Sequence, residues 1–492
     1  MRHAVRFMLG DQLISVSGIS PSLSVLDWLR GEARLTGTKE GCNEGDCGAC
    51  TIVVARPRNG RLDYRAVNVC TLLVGMLDGA QVLTVEHLSE GGALHKVQQA
   101  MVDAHGSQCG FCTPGFVMSL FARDKQTKAS RTDVAETLAG NLCRCTGYAP
   151  IMRAAALSDA DETADMWDQR ADQTLAALIA LKDDTTLCLR DGAASFIAPT
   201  SEDELAGLLV QHAGDQGSAR PTLIAGNTDV GLWINKKLME LDPIFWLGRI
   251  DSLKKITEFA DHIEIGAGVT YSEGAAALVR LFPESNALIA RIGGVQVRNS
   301  GTIVGNIANG SPIGDMSPLL LAAGASITLR RGDQRRRLAL KDFFLSYGVQ
   351  DCAGDEFITH VSVPKPKASA RLKAWKISKR SDQDISSVMM AAYLDCEGAR
   401  IDEIRLAFGG MAGVPCRALG SEALLRGGPW TRATLAAAQA HLRQELQPIS
   451  DMRASAAYRL DVACNLLERL FIETVEMAPT RLPGGSLSAS AP

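Results

Sequence analysis

The sequence predicts a multidomain α+β chain: a small β-rich domain, a helical domain, and a larger α+β portion that ends in a small α+β domain. Three observations predict it. Short alternating strands surround one dense cysteine loop at residues 42–50. Two further cysteine pairs, at 109–112 and 143–145, bracket stretches of helical periodicity. Beyond residue 195, strands ending in glycine-containing turns alternate with helical segments.

Bulk properties bound the reading. A chain of 492 residues suggests three or four domains. Hydrophobic content of 46% and charged content of 22% are those of a globular protein. A net charge of -4 without a basic stripe gives no electrostatic case for nucleic acid. No apolar run reaches the length of a membrane span. Residues 1–16 alternate at once and contain no apolar leader core, so a cytoplasmic location is expected, where thiols stay free for metals. Of 13 cysteines, eight precede residue 146. Cys188, Cys352, Cys396, Cys416 and Cys464 are scattered singly and read as small buried hydrophobes. No Ser–His–Asp, Cys–His or HExxH arrangement is present, so no catalytic side chain is assigned and the chemistry falls to cofactors.

Residues 3–16 read as a hairpin turning at Gly10-Asp11, and 24–34 as a helix capped by Ser24. Cys42, Cys47 and Cys50 follow with C-x4-C-x2-C spacing, and Cys70 returns on a later strand. This is the spacing of a plant-type 2Fe-2S loop, three ligands plus one, whereas tetrahedral zinc usually takes two paired knuckles. Gly41, Gly45 and Gly48 suit a loop that curls tightly and brings backbone N–H groups to sulfur. Strands, one helix and this loop make residues 1–86 a β-grasp ferredoxin domain.

In residues 87–158, segments 94–104, 115–121 and 132–142 have helical periodicity. Cys109 and Cys112 form C-x2-C, and Cys143 and Cys145 form C-x-C. Two such pairs at the ends of packed helices hold a second 2Fe-2S cluster or zinc, and the neighbouring ferredoxin loop favours the cluster. The acidic run at 159–172 sits in an expected solvated linker, 159–194. Past it, 222–224 is a strand running into Ala225-Gly-Asn-Thr-Asp-Val230, a turn able to aim N–H groups at a pyrophosphate. Residues 293–323 are rich in Gly, Asn and Ser. Composition alone leaves a planar ligand and a plain set of turns equally open there.

The chain resembles the xanthine oxidase family of molybdenum hydroxylases. EGCNEGDCGAC at 40–50, QCGFCTPG at 108–115 and NLCRCTGY at 141–148 match it nearly letter for letter, non-ligand residues included. AGNTDVGL at 225–232, SGTIVGNIANGSPIGDMSPLL at 300–320 and KRSDQDI at 379–385 are similar to its FAD-binding portion. The resemblance implies two 2Fe-2S clusters and a FAD domain of the vanillyl-alcohol-oxidase type over 195–368, followed by a small α+β domain over 369–478 and a tail, 479–492. It implies that Ala225, Gly226, Asn227, Thr228, Asp229 and Val230 cradle the pyrophosphate. Thr302, Gly305, Asn306, Ser311 and Asp315 would line the adenine-to-ribityl stretch, with Asp315 bonding hydroxyls; Lys376 and Asp384 would lie near the flavin ring. Ile292 stands where the family often has an aromatic residue on the isoalloxazine. The family's molybdenum cofactor corresponds to nothing in this chain, so the resemblance implies a large molybdopterin-binding partner subunit, a dimer of heterodimers, and NAD+ as electron acceptor.

Overall fold

The computed structural model describes residues 1–214, 220–478 and 480; apart from Thr480, the expected tail lies outside the described residues. The first 83 residues form the expected β-grasp. Its five strands lie in the order Gln12–Val16, Val5–Leu9, Gln81–Leu83, Thr51–Arg58, Arg61–Asn68. The outer hairpin is antiparallel, while Val5–Leu9 and Gln81–Leu83 run parallel. The helix Val25–Gly31 starts where the Ser24 hydroxyl accepts the Asp27 N–H, and it buries Val25, Leu26, Trp28 and Leu29. Trp28 meets Phe7 edge-on at 5.4 Å.

Four helices, Lys96–Asp103, Thr113–Asp124, Val134–Leu138 and Ala149–Ala160, build the second domain. The helix expected over 132–142 stops at Leu138. Tertiary bonds win over periodicity here: the Leu142 N–H donates to the Cys47 carbonyl, and the Asn141 side chain donates to the Gly48 carbonyl. Both bonds require irregular backbone.

The expectation of a solvated linker over 159–194 is corrected. The stretch folds as Met166–Gln169, Ala171–Leu181 and the strand Leu187–Asp191, and Trp167 is buried. Its acidic residues are partners of distant cations. Asp165 binds His95 at 2.7 Å and Lys125 at 2.5 Å, and Asp183 binds Arg249 at 2.9 Å. The helix Ala171–Leu181 lies back against the ferredoxin sheet.

The third region has two sheets. One orders Leu187–Asp191, Ala194–Ala198, Ile244–Trp246 and Thr222–Ile224; the boundary expected at 195 falls inside its first hairpin. The other orders Ile256–Glu258, His262–Gly266, Phe357–Pro364, Ser326–Arg331 and Gln334–Ala339. The last region is a sheet of Arg371–Ile377, Val388–Glu397, Arg400–Gly409 and Cys416–Arg417. The helices Arg432–Glu445 and Ala456–Phe471 share a core with it.

Apolar clusters cross these divisions. One core joins Val5, Phe7, Leu29 and Leu77 of the ferredoxin domain to Leu189, Phe196, Ile244 and Trp246 of the four-stranded sheet. A second joins Val53 and Leu83 to Phe116, Phe121 and Trp167. The ferredoxin sheet is therefore sealed on both sides by other parts of the chain.

Candidate iron–sulfur and flavin sites

The cluster loop of residues 41–50 is left-handed at Asn43 (φ 56°), Gly45 (φ 78°) and Gly48 (φ 68°). Gly41 serves differently. A Cβ there would lie 2.7 Å from the Cys47 sulfur, so its value is space and not φ. The loop turns N–H groups onto sulfur: Asp46 and Cys47 donate to the Cys42 Sγ at 3.3 and 3.2 Å, and Cys42 donates to the Cys47 Sγ at 3.3 Å. Cys70 arrives past the strand Arg61–Asn68 and places its sulfur 3.4 Å from that of Cys50. The neighbouring Cys47 and these N–H groups pull the Cys42 thiol down to about 4, towards the thiolate a metal takes. Asn68, which sequence reasoning missed, braces the loop by donating to the Gly45 carbonyl at 2.7 Å.

The second set also converges. Cys112 contacts Cys143, and Cys109 contacts Cys145. Cys109 and Cys145 are exposed, and Cys112 and Cys143 half-buried. Burial and the Cys143 sulfur push the Cys112 thiol up to about 12. The Tyr148 hydroxyl holds the loop by accepting the Cys143 N–H at 3.0 Å. Each set brings four sulfurs together, and the N–H donors at Cys42 and Cys47 suit sulfur-rich ligation.

The residues expected to hold flavin come from segments far apart in sequence. A Cβ on Gly226 would lie 1.8 Å from the Ser300 carbonyl oxygen, so the turn 225–230 and the segment 300–306 touch only because residue 226 is glycine. Asn227 is left-handed (φ 58°) and donates to the Thr71 carbonyl at 2.6 Å. The Ala225 carbonyl accepts the Trp246 indole at 3.1 Å, and Thr228 lies beside Gly301. Asp229, raised by burial, leads into the helix Val230–Asn235, and Val230 packs at the ferredoxin core. Thr302 caps the helix Ile303–Asn309 by accepting the Gly305 N–H at 3.0 Å. The Ser311 hydroxyl accepts the Ile313 N–H at 3.4 Å.

Asp315, expected to bond hydroxyls along the adenine-to-ribityl stretch, has protein partners on both carboxylate oxygens. One oxygen accepts from Lys376 Nζ at 2.7 Å, and the other accepts the Ser386 hydroxyl. Lys376 also donates to the Arg291 carbonyl at 3.1 Å. Asp384 stays on its own loop, accepting the N–H groups of Arg380 at 2.9 Å and Ile385 at 3.1 Å. Arg291 clamps that loop through Ser378, Ser381 and Lys376. Ile292 is half-buried against the core of the third region. The residues fit a polar ligand: Asn227 Oδ1, Asn306 Oδ1 and Ser317 Oγ are buried without partners. Burying three orphan acceptors or hydroxyls costs roughly 1–3 kcal/mol each unless a ligand satisfies them.

Fold and sites together are those of a chain with a 2Fe-2S binding domain, a FAD-binding domain and a C-terminal domain. Residues 84–156 match the 2Fe-2S binding domain family, 189–366 the FAD binding domain in molybdopterin dehydrogenase, and 373–474 the CO dehydrogenase flavoprotein C-terminal domain. The chain is 29% identical to the xanthine dehydrogenase of Emericella nidulans over 97% of its own length and 39% of that protein's. It is 30% identical to xanthine dehydrogenase 1 of Arabidopsis thaliana over 88% of its own length and 37% of that protein's. The chain thus spans well under half of these curated relatives. A solved structure of carbon monoxide dehydrogenase from Hydrogenophaga pseudoflava, lacking the Mo-pyranopterin moiety of the molybdenum cofactor, superposes with a TM-score of 0.52. Identity to it is 26%, over 56% of this chain and 94% of that one. These domain matches and relatives support the xanthine oxidase family. No helix among the described residues is long and apolar enough to cross a membrane.

Proposed function

We propose that the chain is the iron–sulfur/FAD small subunit of a cytoplasmic xanthine dehydrogenase. In this reading it relays electrons from a partner subunit's molybdenum centre through two 2Fe-2S clusters to FAD and on to NAD+, as hypoxanthine and xanthine are oxidised to urate. Cys42, Cys47, Cys50 and Cys70 would hold one cluster, and Cys109, Cys112, Cys143 and Cys145 the other. The turn 225–230, with Thr302, Gly305, Asn306, Ser311, Asp315, Lys376 and Asp384, would hold FAD. The bound groups supply one-electron and two-electron chemistry; the protein's part is to fix their spacing.

The observation that carries this reading is the contact between the sites. The helix Val230–Asn235 begins at the turn 225–230 and ends at the cluster loop. There Asn235 donates to the Cys70 carbonyl at 2.7 Å, and Lys236 to that of Cys42 at 2.5 Å. The second reading is the same role in another molybdenum hydroxylase, acting on an aldehyde or another N-heterocycle, because the substrate pocket would lie on the partner subunit. An anaerobic visible spectrum of the chain co-expressed with a large molybdopterin-binding subunit separates the two. Bleaching of flavin and iron–sulfur absorbance on adding xanthine supports the first reading. Colour that bleaches only with an aldehyde or another heterocycle supports the second. Absence of the colour overturns both. The same sample reports whether the assembly is a dimer of heterodimers and whether NAD+ restores the colour.

A further inference from the structure

Three regions of the chain meet at one buried polar point. Gln296, on the helix Val295–Ser300 of the flavin region, donates through Nε2 to Ser119 Oγ and Asn141 Oδ1, both at 3.0 Å, and to Thr51 Oγ1 at 3.3 Å. Asn141 donates to the Gly48 carbonyl at 3.0 Å and accepts the Ser119 hydroxyl at 2.6 Å. Gln296, Asn141, Thr51 and Ser119 are each no more than 2% exposed.

Three of these groups, Thr51, Gly48 and Asn141, lie within two residues of a cluster cysteine. Thr51 follows Cys50, Gly48 follows Cys47, and Asn141 stands two residues before Cys143. The two loops are also joined directly, since the Leu142 N–H donates to the Cys47 carbonyl at 2.9 Å. The point is closed by glycines. A Cβ on Gly140 would lie 1.8 Å from Gln296 Oε1, one on Gly48 2.1 Å from the Gly140 carbonyl, and one on Gly115 2.3 Å from the Gly48 carbonyl.

We propose that Gln296 is a positioning residue for the cluster pair: a side chain of the flavin region that fixes the two cysteine loops relative to each other. The physical reason is geometric. One amide group reaches both loops at once, in a buried setting where an unmet partner is costly. Electron exchange is steep in separation, so a loop pair free to shift would exchange electrons unevenly. The inference rests on the two-cluster reading.

The test is pulsed EPR of the dipolar interaction between the two reduced clusters, measured on the full chain with its large subunit. Parent protein should give one narrow distance distribution. Gln296→Met, which keeps the volume and loses the donor, should broaden it. Gly140→Ala should do the same from the opposite side by displacing the Gln296 amide. Asn299→Ala is the control: Asn299 lies on the same helix and donates to the Ala66 carbonyl at 2.9 Å, without touching either loop. The proposal is overturned if Gln296→Met and Gly140→Ala keep the narrow distribution. It is equally overturned if Asn299→Ala broadens it as much, since loosening of the domains would then explain everything. Parent protein with fewer than two EPR-active clusters overturns the cluster reading itself.

Discussion

Single atoms decide whether these sites assemble. Gly226 is the sharpest case, because its absent side chain leaves room for the Ser300 carbonyl. Backbone cannot yield as a flexible side chain does, so Gly226→Ala should lose flavin; the flavin-to-protein ratio of purified material checks it, and an unchanged ratio refutes the placement. The Asp315–Lys376 pair is buried, so removing one partner strands a charge. Lys376→Met should cost about 3–5 kcal/mol in chemical denaturation and release flavin more readily. Cys143→Ser should lower iron from about four to about two per chain with flavin retained, since two clusters carry four irons. Retention of all the iron would remove Cys143 from the ligand set.

Elements were legible in sequence where their signals are local. The ligand spacing 42–47–50 and the Ser24 cap both follow from neighbours within a few residues. What sequence could not show depends on pairs far apart. The run 159–172 looked solvated because its counter-ions are elsewhere: Asp165 meets His95 across 70 positions. Gln296 carries no local signal at all, as its partners are 155 to 245 positions away. The helix expected to reach residue 142 ends at Leu138 because the cluster loop takes the backbone N–H of Leu142.

The Asp165 network also predicts a pH dependence for this connector. Burial works to raise the Asp165 carboxyl, but His95, Lys125 and backbone N–H groups outweigh it and hold it below the usual carboxylate range. His95 Nδ1 accepts the Val97 N–H, so its Nε2 donates to Asp165. A depressed folded-state value means stability that is complete above about pH 4 and is lost as the pH falls further. Thermal melts of the parent should decline below that pH, and those of Asp165→Asn should start lower and change less. Parallel pH curves for the two proteins would refute the assignment.

At the scale of the whole molecule, the proposed flavin turn and the first cysteine loop share scaffolding. The turn 225–230 holds Thr71 through Asn227, and the helix leaving it holds Cys70 and Cys42. Stripping flavin should therefore lower the temperature at which the cluster absorbance bleaches, and equal bleaching temperatures with and without flavin would contradict this coupling. The shared apolar core has a consequence during synthesis. Val5 and Phe7 leave the ribosome well before Ile244 and Trp246, which complete the core that covers them. At about 5–20 residues per second, the gap between residue 86 and residue 246 lasts on the order of ten to thirty seconds. For that interval the nascent ferredoxin sheet is open on one side. Under the two-cluster reading, its cysteine loop would then be open to iron and sulfide before the rest of the chain closes over it.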